Sequence, residues 1–227
     1  MARLAVSDLM KNIAATVNQE ATSPTAGGTE WTLWLEFINR GVYEWAEAHD
    51  WETLRKEFKP SISGLSNATI PLPTDFRKLA GYPVLWGSVD GGLEWPESLV
   101  EQRLLYSVTD NWVQVRGDIS NGYNLIWNPG TLASGASVTI QYFSVPTSLA
   151  SPAQFPVIPD SQFLVDRTIS YILESRSDPR FQQQEVKARD RLLQMIESAN
   201  VAKYSSYAGS NPVLTTDRRV GFRLGRD

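Results

Sequence analysis

Apolar residues in the first segment recur at helical spacing. Val6, Leu9, Met10, Ile13 and Val17 share one side of a 3.6-residue wheel, which predicts a helix with Ser7 or Asp8 serving near its start. The stretch 21–28, ATSPTAGG, has loop composition. Thr29 then predicts the cap of a second helix. Its apolar stripe is Trp31, Trp34, Leu35, Ile38, Val42, Trp45 and Ala46, with Glu36, Arg40, Glu44 and Glu47 mostly elsewhere. That spacing assigns the tryptophans to a core. Asp50 and Trp51 mark a break, followed by one short helical turn.

The middle of the chain changes period. Residues 58–63 and 68–72 read as short extended pieces, and Pro71 and Pro73 argue against a helix there. An apolar run over 82–89 ends in Asp90-Gly91-Gly92, a turn signal before Leu93-Glu94-Trp95, so a hairpin is predicted. Pro96 suits the first turn of a short helix over 96–105. Three more strands follow at 112–116, 123–127 and 137–143, separated by Gly117-Asp118, Asn121-Gly122 and Asn128-Pro129-Gly130. The last alternates, with Val138, Ile140 and Tyr142 on one side and Thr139 and Gln141 on the other. Residues 144–159 are a Pro/Ser-rich connector. Helices then return. Asp160 or Ser161 caps one bearing Leu164, Val165, Thr168, Ile169 and Ile172. Asp178-Pro179 restarts another bearing Phe181, Ala188, Leu192, Met195, Ile196 and Ala199. The short loop between them predicts an antiparallel helical hairpin.

The order is helices, strands, helices, tail. It predicts an α+β fold: a helical bundle built from N- and C-terminal helices (1–54 and 158–200), an inserted antiparallel β-rich module with its connector (55–157), and an extended C-terminal tail (201–227). The chain has 227 residues and 42% of them are hydrophobic, enough for a substantial core. No Cys is present and the single His is His49, which removes thiolate chemistry and leaves any triad or His-rich metal site dependent on one residue. Neither a transmembrane run nor a signal peptide is read, so a soluble protein made in a cytoplasm is expected.

Charge is uneven. Residues 203–227 carry +3 (Lys203, Arg218, Arg219, Arg223 and Arg226 against Asp217 and Asp227), whereas the remainder carries −7. Such a tail either stays solvated or docks on an acidic partner.

Three places resemble the head–tail adaptor proteins of tailed bacteriophages, also described as connector, tail tubular or head-completion proteins. They are the aromatic-ended helix WLEFINRGVYEWAEAHDWETLRKEF (34–58), the strand and turn ATIPLPTDFRKL (68–79), and IPDSQFLVDRTISYILESRSDPRFQQQEVKARDRLLQMI (158–196). The resemblance covers most of residues 30–200 in layout and includes no catalytic signature. It implies a virion protein that forms a homo-oligomeric ring, commonly of about twelve subunits, beneath the portal protein. DNA passes through the channel without specific binding, and tail or nozzle proteins attach below. The C-terminal extension reaches into the portal's clefts. On that reading Arg218, Arg219, Arg223 and Arg226 contact acidic portal groups, and Tyr204, Tyr207, Val220, Phe222 and Leu224 are apolar anchors. The alternation over 220–224 reads as a short strand able to extend a partner's sheet. No catalytic residue, metal or cofactor is expected.

Other classes stay in view. A neck protein or tail terminator would use the same tail on other virion proteins. A carbohydrate module would use Trp86, Trp95, Trp112 and Trp127 on one open face. An enzyme would need a carboxylate pair such as Asp75 with Asp160, or Asp166 with Glu174. Each of these acids also reads as a cap, a turn residue or part of a solvated face, and neither a nucleophile elbow nor a Walker loop is present.

Overall fold

The first helix, α1 (Val6–Val17), is too short to persist alone in water. Packing holds it. Val6, Leu9, Met10 and Ile13 are fully buried, each contributing about 1.5–3 kcal/mol. Its cap differs from expectation. Ser7 and Asp8 lie inside the first turn, and no side chain caps the helix. Instead the N–H groups of Val6 and Ser7 donate to the carbonyls of Gln154 and Pro152, at 2.9 and 3.0 Å, and Leu4 N–H donates to Ser161 Oγ. Unpaired helix-start donors are thus satisfied from the distant connector.

A computed structural model describes residues 3–18, 22–60, 69–81, 84–86, 92–94, 113–127 and 137–208. Helix α2 (Thr29–Ala48) begins one residue later than a Thr29 cap requires, with Gly28 at the cap position. Its stripe packs as the spacing predicts: Trp31, Trp34, Ile38, Val42 and Trp45 are all buried. Trp51 folds back, stacks on Trp45 with ring centroids 4.7 Å apart, and donates its indole N–H to the Trp45 carbonyl. A single 3-10 turn (Glu52–Leu54) follows.

Eight strands are described: β1 (Arg55–Phe58), β2 (Thr69–Pro71), β3 (Phe76–Leu79), β4 (Val84–Trp86), β5 (Gly92–Glu94), β6 (Val113–Asp118), β7 (Gly122–Trp127) and β8 (Ser137–Ser144). All their pairings are antiparallel. β8 holds the larger sheet together: β1 pairs with one edge, while β3 and then β4 pair with the other, and β5 completes a hairpin with β4. The smaller sheet has the order β2-β7-β6. The β6–β7 turn needs glycine. Gly117 has φ +117°, and a β-carbon there would overlap the Gly122 carbonyl oxygen. The Asp118 carboxylate accepts from the N–H groups of Ser120 and Asn121, which closes the turn. The helix expected over 96–105 lies outside the described residues.

The alternation in β8 is only half of its burial. Val138, Ile140 and Tyr142 join Ile70, Leu72, Phe76, Val113 and Leu125 in a β-side core. Phe143 is also buried, on the opposite face, in the helical core. β8 is therefore a wall between two cores.

Helices α3 (Ser161–Ser175) and α4 (Phe181–Ala208) close the bundle. The Asp160 side chain caps α3 by accepting from Gln162 N–H, as its position predicts. α3 is the central helix, packed against α1, α2 and α4. Between α3 and α4, Ser177 takes a left-handed φ of +55° and Asp178 Oδ1 accepts from Arg180 N–H. The connector is strapped down too. Asn39 donates to the Leu149 carbonyl and accepts from its N–H, at 2.9 and 2.7 Å. The fold is α+β, as the order of elements predicts. One expectation changes: the helix that should end near 200 runs to Ala208, so residues 201–208 are helical and not extended.

Candidate functional site

Of the tail residues singled out by sequence, Tyr204 and Tyr207 lie in the last two turns of α4. Arg218, Arg219, Val220, Phe222, Arg223, Leu224 and Arg226 lie outside the described residues. What the structure positions is the root of the tail. Arg191 on α4 donates to Asp160, the residue just before α3, at 3.1 Å. At that level α3 begins, and α4 continues past it from Leu192 to Ala208. Ala199 is the last α4 residue packed on the core. The final turns therefore project about 13 Å beyond it, at 1.5 Å per residue. The projection is backbone-rigid, so the tail leaves from a fixed point.

The acidic pairs considered for catalysis are spoken for or apart. Asp75 accepts from Lys56 Nζ at 2.6 Å and from the Tyr142 hydroxyl at 2.9 Å. Burial works to raise its pKa, but the bonds from Lys56 and Tyr142 outweigh that and hold it below the ordinary value. Burial, with the bond to Asp75 added, pushes Tyr142 up to about 12. Asp160 caps α3, and Arg191 joins it to Asp166 at 3.3 Å, so both carboxylates face a guanidinium. Glu174 is exposed. His49 ends α2 with its ring edge-on to Trp51. A polar cleft of about 290 Å³ between α3 and α4 is lined by Gln162, Asp166, Lys187, Asp190, Arg191 and Gln194. Among the described residues no group of three His, Asp or Glu side chains is placed to hold a metal ion.

No family model matches the chain, and no curated protein does. The functional reading rests on the chain's own residues. The indole faces of Trp86, Trp95, Trp112 and Trp127, on which a sugar-binding reading turns, lie outside the described side chains.

Two arrangements were not foreseen. One is a cluster on the α2–α3 seam. Glu44 accepts from Arg167 Nε at 2.7 Å and from the Tyr171 hydroxyl at 2.6 Å, while Arg40 and Arg167 lie over the Tyr171 ring at 4.4 and 4.6 Å. Burial first, then the Glu44 bond, pushes Tyr171 up to about 12, with Arg167 opposing. Its sequence signal was the pair of one-turn spacings, Arg40 to Glu44 and Arg167 to Tyr171. The other is on α4. Val186, Leu193 and Val201 are exposed and fall off the core-facing stripe of Ala188, Leu192, Met195, Ile196 and Ala199. The leftover apolar positions could have flagged it.

Proposed function

We propose that this protein is a structural head-to-tail adaptor of a tailed phage, one subunit of a ring docked under the portal, and not an enzyme. The observation that carries the reading is α4. It outruns the bundle and delivers a basic, aromatic-bearing segment from a fixed point. A segment that orders on a partner gains affinity through main-chain and charge-assisted contacts, and repetition round a ring multiplies weak docking into firm attachment. The strapped connector and the shared β8 wall make a stiff body, which suits a part that transmits load and does no chemistry. The acidic balance of the rest suits a conduit, since a wall that neutralised phosphates would retain DNA. The place of action on this reading is the virion's head–tail junction, with the portal above and tail or nozzle proteins below.

The test is electron microscopy of the protein mixed with its own portal, comparing the full chain with a chain ending at Ala208. A second ring stacked on the portal only with the full chain is the expected result. A ring with neither chain would move the assignment to a neck or tail protein.

A further inference from the structure

The outward side of α4 has no partner within the fold. Val186, Leu193 and Val201 are 57%, 49% and 67% exposed, which is costly for aliphatic side chains gathered along one helix. They are evenly spread: Leu193 sits centrally, Val186 two turns before it and Val201 two turns after. The charges between them mirror each other in sign. Arg189 stands one turn before Leu193 and Glu197 one turn after, both exposed and both without an ion-pair partner among the described residues.

We infer that this face binds the same face of a second copy, the two α4 helices running antiparallel about a twofold axis at Leu193. In that arrangement Leu193 meets Leu193 of the other copy and Val186 lies against Val201. Each Arg189 meets a Glu197, twice over by symmetry. A twofold contact demands self-complementarity, and a stripe with opposite charges at equal distances either side of its centre satisfies it. A parallel pairing would place like charges together. The outward face of α2 is the other candidate occupant. It exposes Leu33 and Tyr43, but beside Glu36 and Glu47, so it offers Arg189 partners and Glu197 none. The contact is small and the affinity correspondingly modest. It is independent of the portal reading: a twofold pair neither requires nor closes a ring, and each can fail alone.

Sedimentation equilibrium of the full chain tests it, with charge swaps and cross-linking. The expected result is a concentration-dependent dimer. Arg189→Glu and Glu197→Arg alone each weaken it about fivefold or more, since two surface pairs turn repulsive, and the double swap restores it. Both residues are exposed, so the variants fold. Because the chain has no Cys, Leu193→Cys provides a unique thiol, which is expected to form a disulfide dimer with itself. A chain that stays monomeric to about 1 mM, well above the range in which stable interfaces associate, would overturn the inference. So would a double swap that does not restore association, or a Leu193→Cys thiol that links only to a Leu33→Cys chain. That last result would assign the face to α2 of a neighbour.

Discussion

Tyr142 and Tyr171 each give a buried hydroxyl to a carboxylate, and each is held neutral well past the ordinary tyrosine range, to about 12. The folded pKa lies above the unfolded one. The stability this contributes is complete below about pH 10 and is lost as pH rises towards 12. An absorbance titration is expected to show two of the eight tyrosines ionising late, one fewer in Tyr142→Phe and one fewer in Tyr171→Phe. Normal titration of all eight would remove both hydrogen bonds from the account. Asp75 runs the other way. Its lowered pKa gives stability that is present above the unfolded value and fades as pH falls through the folded one, and Lys56→Met should narrow that range. Gly117→Ala is a backbone matter. Its positive φ and the Gly122 carbonyl leave no room, so a loss of about 2–3 kcal/mol or more is expected in denaturant melts.

Among elements, the turn between α3 and α4 holds Ser177 where glycine is the natural occupant. Ser177→Gly should raise stability by about 0.5–1 kcal/mol, measured as a shift in denaturation midpoint at constant slope. The helices were legible in the sequence because their stripes are local: Trp31, Trp34, Ile38, Val42 and Trp45 announce both the element and its buried side. The start of α1 was not, because its donors are satisfied by Pro152 and Gln154, far along the chain, and no local residue signals that. β8 was half legible. Alternation exposes one buried face, but Phe143 is buried on the other because a second core lies there. The end of α4 was misread because Tyr and Ser over 204–207 are indifferent helix formers. Propagation from an established helix costs little, so the element runs on. Of the tail residues tied to portal docking, only Tyr204 and Tyr207 acquire a place, on that helix.

At the scale of the molecule, the two cores meet at β8 and the first helix is held by the last ones. α1 rests on α3, Leu4 donates to Ser161, and the connector closes over the helix start. The whole should therefore unfold in one transition, with fluorescence and far-ultraviolet signals coinciding. Separate transitions would mean that the cores come apart along β8. The same closure has a consequence during synthesis on the ribosome. Val6, Leu9, Met10, Trp34 and Trp45 emerge early, yet their counter-surface, Phe163 to Ile172, is made more than a hundred residues later. At translation speeds of about 5–20 residues per second the nascent chain waits on the order of ten seconds with that apolar surface uncovered. Messages cut before Ser161 should yield chains that aggregate or are captured by chaperones, whereas one ending at Ala208 should be released folded. The order of the genetic text thus makes the earliest segment of this protein the last to find its place.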